Sequence, residues 1–224
     1  MPLQGTALLV IWNDVDASAA REYDRWITQE HMPERMQAPG FMRGRRYVAP
    51  DATVRQPYLN MYELSDIEAC TSAAYQAMLQ APSPWTRKMM PQLRDFSRAA
   101  LRTVYSRGSG LGGCMGSIQL DAPAAPSGDA LGHALEDVLR NGADGVVGVH
   151  VGEIDTAAAG GLTSEKRLRG STAQEAEFTH AVLIESVDED HLRRALPEVA
   201  ARLAASFGAA RVVNAGVYRF NLVL

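Results

Sequence analysis

The sequence predicts an α+β fold in which two βαββαβ halves lay their sheets face to face and close an internal α/β barrel. Two observations carry this. The order strand, helix, strand, strand, helix, strand occurs once before a glycine-rich connector and again after it, at about half the chain length. Each such unit covers only one sheet face with helices, which leaves an apolar face that must be buried against something. The correspondence between the halves is one of element order, since their residues match weakly.

In the first half, Ala7 to Trp12 is a short apolar, partly β-branched run and reads as a strand. Asp14 and Asp16 offer capping side chains ahead of a helical stretch from Ala17 to Glu30. In that stretch Tyr23, Trp26, Ile27 and Glu30/His31 share one face. Pro33 ends or restarts the helix, and Pro39-Gly40 signals a turn. Phe41 to Val48 and Pro57 to Leu64 read as strands, Ile67 to Leu79 as a helix, and Ala99 to Tyr105 as the fourth strand. Between the last two, Pro82 and Pro84 form an elbow, followed by a short turn from Trp85 to Met90. This order is the ferredoxin-like motif.

Arg107 to Gly113, RGSGLGG, reads as a connector. Its glycines approximate a dinucleotide fingerprint but lack the βαβ unit that gives one meaning. In the second half, strands are expected at Met115–Leu120, Val146–Val151, Phe178–Glu185 and Gly216–Leu224, with helices at Ala130–Arg140 and His191–Phe207. The expected organisation is therefore repeat 1–106, connector 107–113 and repeat 114–224. The stretch 156–175 is an insertion, read as a mobile loop or flap.

The composition excludes several classes. The formal net charge is -4, from 22 basic and 26 acidic residues, so nothing argues for a nucleic acid or an anionic membrane as partner. The first apolar run is too short for a signal-peptide core or a membrane span. Cys70 and Cys114 have no metal-ligand spacing and suit a reducing cytoplasm. No Gly-x-Ser-x-Gly elbow supports a hydrolase.

The stretch richest in chemistry runs from Tyr23-Asp24-Arg25-Trp26 through Glu30-His31-Met32-Pro33-Glu34-Arg35 to Pro39-Gly40-Phe41 and Arg43, Arg45, Arg46 and Tyr47. An aromatic-x4-His-x-Pro pattern (Trp26, His31, Pro33), then Pro-Gly-Phe and an Arg/Tyr strand, resembles the dimeric α/β-barrel superfamily, in particular its EthD-like members. The resemblance covers the first half; the second half has no His-x-Pro after its first helix. It implies a ligand pocket between the sheet and the helices of one repeat, often with a histidine nearby. It does not name the reaction, because the superfamily spans cofactor-free monooxygenases, cyclases, isomerases, dehydratases and haem-dependent proteins.

His31 is the one side chain in this stretch whose unperturbed pKa lies near neutrality. Two readings stand: an acid–base for a bound ligand, or a packed histidine that fixes the turn into Pro33. Strict alternation places Phe41, Arg43, Arg45 and Tyr47 on one face of their strand, and Tyr58, Asn60 and Tyr62 on one face of the next. Taken together as one face, these residues would bind a carboxylate, enolate or phenolate; the bland alternative is a satisfied network between the repeats. Trp26, Trp85 and Met89 would form an apolar wall, or a packing cluster. Asp24 and Glu34 would orient His31 or Arg35, or simply be solvated. His150 and His180 sit on predicted strands and His133 and His191 on helices; two strand histidines could meet at a metal, but no third ligand is evident.

The expectation is a cofactor-independent enzyme moving a proton on a small carbonyl- or aromatic-bearing molecule, with His31 as acid–base; the resemblance leaves haem open. The alternative is a non-catalytic ligand-binding or assembly protein that uses the barrel as scaffold. A homodimer is compatible with either.

Overall fold

The computed structural model describes residues 3–122, 126, 128–142, 144–159, 162–170 and 173–224. The first half contributes β1 (Ala7–Val15), β2 (Phe41–Val48), β3 (Tyr58–Leu64) and β4 (Leu93–Gly108). The second contributes β5 (Cys114–Asp121), β6 (Val146–Ile154), the short β7 (Ala173–Glu175), β8 (His180–Ser186) and β9 (Arg211–Val223). The helices are α1 (Ala20–Trp26), α2 (Met32–Arg35), α3 (Ala73–Gln80), α4 (Pro84–Met89), α5 (Gly128–Asp137), α6 (Ser164–Arg169) and α7 (Glu189–Ser206).

Eight strands close a barrel in the order β1-β3-β2-β9-β5-β8-β6-β4, with β4 returning to β1, and every pairing in this ring is antiparallel. Within each half the strands follow the same order, β2-β3-β1-β4 and β6-β8-β5-β9. The seams pair the second strand of one half with the last strand of the other, β2 with β9 and β4 with β6. Closure removes the sheet edges that an open four-stranded unit would expose. β7 pairs parallel with the start of β4, outside the ring.

Period-two alternation then sorts side chains into three cores. Leu8, Val10 and Trp12 point into the barrel with Met61, Leu183 and Tyr218. The outer face of the first-half strands packs against α1–α4 around Leu9, Trp26, Tyr62, Tyr75 and Met90. The outer face of the second half packs against α5 and α7 around Ile118, Leu135, Ile184, Leu196 and Leu203. Among the described residues no helix is long and apolar enough to cross a membrane.

The barrel interior also holds charge. Arg43 grips Glu63 through two bonds, Nε to Oε1 at 2.9 Å and Nη2 to Oε2 at 2.7 Å. Arg45 lies between Glu63 (2.9 Å) and Glu185 (2.5 Å) and donates to Tyr47 Oη at 2.8 Å. The Gly112 N–H donates to the other Glu185 oxygen at 2.8 Å. Burial pushes Glu185 up, but the neighbouring His150, Arg45 and Gly112 outweigh it and hold its carboxyl below the ordinary value. Trp12 Nε1 donates to Ser117 Oγ across the interior at 3.0 Å.

Several local expectations are corrected. Asp14 and Asp16 do not cap α1: Asp16 pairs with Arg94 at 2.5 Å, and Asp14 Oδ1 accepts from the next backbone N–H. The expected helix from Ile67 is a 3-10 turn (Ile67–Thr71) followed by α3, restarted at Ser72, whose hydroxyl accepts the Tyr75 N–H. The turn after the proline elbow is α4, with Pro84 at its start and Ser83 as its cap. The last strand begins at Arg211 rather than Gly216. The insertion is not simply a loop: Thr163 caps α6 by accepting the Lys166 N–H at 3.2 Å. Residues 160, 161, 171 and 172 of that stretch lie outside the described residues.

Arg45→Ala strands the buried Glu185 carboxylate and is expected to cost about 3–5 kcal/mol, read as a lower urea midpoint. The double change Arg45→Met/Glu185→Leu removes both charges and is expected to recover more than half of that loss. Equal losses in the two variants would refute the assignment of an ion network.

Candidate functional site

The site is built on the first helical segment. Tyr23, Trp26 and Ile27 are buried at helical spacing. Pro33 has no N–H and its ring would crowd the carbonyl four residues back. The helix answers with a π turn at Ile27–His31, where the Met32 N–H reaches Ile27 O, and restarts as α2 with Pro33 in its first turn. The wider turn sets the His31 ring over Trp26, centroids 4.4 Å apart and planes 36° apart. Trp26 is pinned in turn: its Nε1 donates to Thr86 Oγ1 of α4 at 3.2 Å. Gly44 on β2 faces the methionines of this segment: a Cβ there would sit 3.0 Å from Met36 Sδ and 3.3 Å from Met32 Cε.

Between this segment and the outer face of the first-half strands lies a cavity of about 720 Å³, counting its mouth. Leu9, Ile11, Leu93 and Phe96 floor it, Trp26 and Ile27 wall it, and Tyr75, Gln76 and Leu79 of α3 face them. Thr163, Glu165, Lys166 and Arg169, from α6 and its cap, cover it. The second half therefore supplies the lid of a first-half cavity.

The two ends differ in chemistry. At one end Tyr23 Oη donates to Asn13 Oδ1 at 3.0 Å and receives Asn60 Nδ2 at 3.2 Å, while the buried Asn60 Oδ1 has no partner. At the other, Arg35 Nη2 bonds Glu165 Oε1 at 2.5 Å, and Arg98, Lys166 and Arg169 also line the wall. Glu165 is the one carboxylate among the described lining residues. Arg35 is 2% exposed, yet its Nε and Nη1 have no partner.

Electrostatics follow from this crowding. Burial, then Arg35 and Arg169, hold His31 well below the ordinary imidazole value, so it is neutral at neutral pH. Its Nδ1 is buried without a partner, which leaves Nε2 as the ring nitrogen that can meet a ligand. Burial pushes Glu165 up against the pull of Arg35 and Arg169. Burial lowers Arg169 to about 10, and its guanidinium stacks over Phe96 at 4.3 Å. Burial also raises the Tyr62 phenol, so it stays protonated as a donor.

The structure brings together Trp26, His31, Asn60 and Tyr62 of the residues singled out in the sequence. It separates the others. Arg43, Arg45 and Tyr47 point into the barrel, where they form the network described above. The cause is a bulge at Met42: Phe41 pairs with Leu64, but Arg43 already pairs with Glu63, so Phe41 faces the helices and Arg43 does not. Arg46 is the arginine on the helix face, between the Tyr23 and Tyr58 rings and bonded to Asp24 at 2.5 Å. Tyr58 belongs to that stack, outside the cavity wall. Met89 is packed in the core while Met90 lines the cavity, and Trp85 lies under Arg25 outside it. Asp24 and Glu34 do not reach His31; Glu34 touches Arg35 at 3.5 Å. His150 and His180 point to opposite faces of their sheet, one toward Glu185 and the other against Phe207. Among the described residues no cluster of three metal-ligating side chains forms. Arg35 entered the sequence reading only as a group for Asp24 or Glu34 to orient, and Glu165 and Arg169 escaped it; the one local signal for these two was a capping Thr163 ahead of a charged hexapeptide.

No family model matches the chain, and no curated protein matches it in sequence. Solved structures match its fold. An anthrone oxidase-like protein aligns over 99% of this chain and 93% of its own, with TM-score 0.61 and 8% identity. A putative monooxygenase from Lactobacillus acidophilus aligns over 96% and 93%, with TM-score 0.52 and 8% identity. A haem-binding protein from Thermus thermophilus aligns over 98% and 92%, with TM-score 0.53 and 11% identity. These likenesses establish the dimeric α/β-barrel fold.

A histidine held neutral by the fold makes stability depend on pH. Below its ordinary value of 6.5 the unfolded chain takes up a proton that His31 in the folded chain refuses, so stability is expected to fall as pH drops through that value. His31→Gln should flatten the slope, leaving the part due to His180, which burial also lowers. Equal urea midpoints at pH 7.5 and 5.5 would contradict a neutral His31.

Proposed function

We propose that the chain is a cofactor-independent enzyme that moves a proton on a carbonyl- or aromatic-bearing small molecule in the first-half cavity, with His31 as acid–base. One observation carries the reading: a neutral imidazole on an aromatic wall shares a cavity with a buried arginine that has donors to spare. A proton leaving a carbon next to a carbonyl puts negative charge on the carbonyl oxygen. Arg35 supplies N–H donors for that charge, and His31 Nε2 accepts the proton. The developing anion offsets the repulsion that Arg35 and Arg169 exert on an imidazolium, so His31 gains basicity when charge appears on the ligand. Trp26 and Ile27 hold the flat part of the ligand and exclude water.

The identical strand order of the two halves supports reading the chain as an internal pseudo-dimer of residues 1–106 and 114–224 joined by 107–113, of the EthD-like kind. Only the first half keeps the His-x-Pro turn; the second supplies the lid. Some fold neighbours hold haem, but the residues here do not suit it. An axial imidazole is ordinarily oriented by a hydrogen bond at its other nitrogen, and His31 Nδ1 has none. His180 lies 5.3 Å from Phe207 at the packed second core. Purified protein is expected to show no Soret band.

The unpartnered Nδ1 also favours a second reading, a ligand-binding protein without turnover, because among the described residues no carboxylate bonds that nitrogen to orient the ring as in catalytic dyads. Anthrone separates the two. Its methylene carbon loses a proton to give an enolate; with dioxygen, one oxygen atom enters that carbon and the other leaves as water, giving anthraquinone. The native protein is expected to accelerate deuterium uptake at that carbon under anaerobic conditions and anthraquinone formation in air. His31→Gln should lower both by roughly 10²–10⁴-fold. Binding of anthrone with no acceleration would support the non-catalytic reading, and unchanged rates in His31→Gln would remove His31 from the chemistry.

A further inference from the structure

The end of the cavity opposite Arg35 holds polar groups that the proposed reaction does not use. Asn13 on β1, Tyr23 on α1 and Asn60 on β3 line it together, and all three are buried. Their hydrogen bonds form a relay with a fixed direction. Asn13 Nδ2 donates to the Asp14 carbonyl at 3.0 Å, which leaves Asn13 Oδ1 facing Tyr23 Oη at 3.0 Å. An amide oxygen can only accept, so the single phenolic proton of Tyr23 goes to it. Burial raises the Tyr23 phenol against the pull of Arg46, so that proton is present at neutral pH. Tyr23 Oη can then only accept from Asn60, and the Asn60 amide nitrogen faces it at 3.2 Å.

Asn60 Oδ1 is the atom left over. It is buried and has no partner, where a buried amide oxygen ordinarily has one. Turning the amide over does not relieve it, because Tyr23 would then have one proton for two acceptor oxygens. The chain of donors and acceptors that starts at a backbone carbonyl therefore ends, in the cavity wall, on a lone acceptor. Leu9, Ile11 and Trp26 line the same cavity, so whatever carries a donor to that oxygen is otherwise apolar.

We propose that this end of the cavity is a hydroxyl receptor: the ligand carries a neutral phenolic hydroxyl remote from its reacting carbonyl, and that hydroxyl donates to Asn60 Oδ1. The direction of the relay sets the selectivity. An ether, a second carbonyl or an anionic oxygen would meet another lone pair there, whereas a hydroxyl meets the one atom that lacks a donor. This inference rests on the reading of the cavity as the ligand site. It leaves the Arg35 donors to the reacting carbonyl oxygen and His31 Nε2 to the proton, and it makes Asn60 a specificity residue, with Asn13 and Tyr23 as the positioning residues behind it.

Two probes that differ in one donor, 2-naphthol and 2-methoxynaphthalene, test this by calorimetry on the full chain. The native protein is expected to bind the naphthol roughly tenfold or more tightly than the ether, the worth of a donor met or missing at a buried acceptor. Asn60→Leu removes the acceptor and should bring the two probes within about twofold of each other. Tyr23→Phe leaves the Asn60 amide free to turn its N–H toward the ligand and should cut the preference by roughly threefold or more. Equal binding of both probes to the native protein would overturn the hydroxyl receptor and leave the cavity reading intact. Failure of both to bind would overturn the receptor and the cavity reading together. A preference that survives Asn60→Leu would place the hydroxyl elsewhere, with His31 Nε2 the competing acceptor, and overturn the assignment to Asn60. A preference unchanged in Tyr23→Phe would overturn the relay as the device that holds the oxygen toward the ligand.

Discussion

The Arg35–Glu165 ion pair joins a helix of the first half to the inserted α6 of the second, 130 residues away, across the mouth of the cavity. Both side chains are nearly fully buried. A buried pair of this kind contributes little net stability, since desolvation consumes most of the attraction, but breaking it leaves an uncompensated charge. It therefore acts chiefly as a geometric constraint. It fixes α6 at the wall of the cavity that Trp26 and His31 also line.

The barrel supplies the rigidity that this constraint needs. Each half presents an outer sheet face to its helices and an inner face to the other half, and closure ties the two inner faces together through β2–β9 and β4–β6. Within, Arg43, Arg45, Glu63 and Glu185 balance two positive charges against two negative ones. That balance permits charge in the interior and fixes the register between the halves. The outer faces are used unequally. In the second half, leucines and valines from α5 and α7 fill the space against the sheet. In the first half the same space is left partly empty, and polar groups without partners line it.

Much of this was legible in the sequence, because the order of elements and their periodicities are local properties. The helix face carrying Tyr23, Trp26 and Ile27, the restart at Pro33 and the Pro39-Gly40 turn, where Gly40 takes a φ of +88°, follow from residue chemistry alone. The arginine assignment did not follow, because the bulge at Met42 shifts the register by one residue and sends Arg43, Arg45 and Tyr47 into the barrel. No local pattern announced that bulge. The lid was less legible still. Glu165 and Arg169 reach the cavity only through the closed barrel, and a short charged helix says nothing about what it covers. Arg35 stood in the chemistry-rich stretch as a group for Glu34 to orient, and nothing local showed that α6 would bury it.

The central claim is that α6 closes the cavity through Arg35 and Glu165, and a double-mutant cycle in urea unfolding tests it most directly. With Arg35→Met, Glu165→Gln and the combination, the account predicts a coupling energy of about 1–3 kcal/mol, because either single change strands a buried partner that the double change does not. Additive effects, with no coupling beyond error, would show that the two side chains do not meet and that the cavity has no lid from the second half.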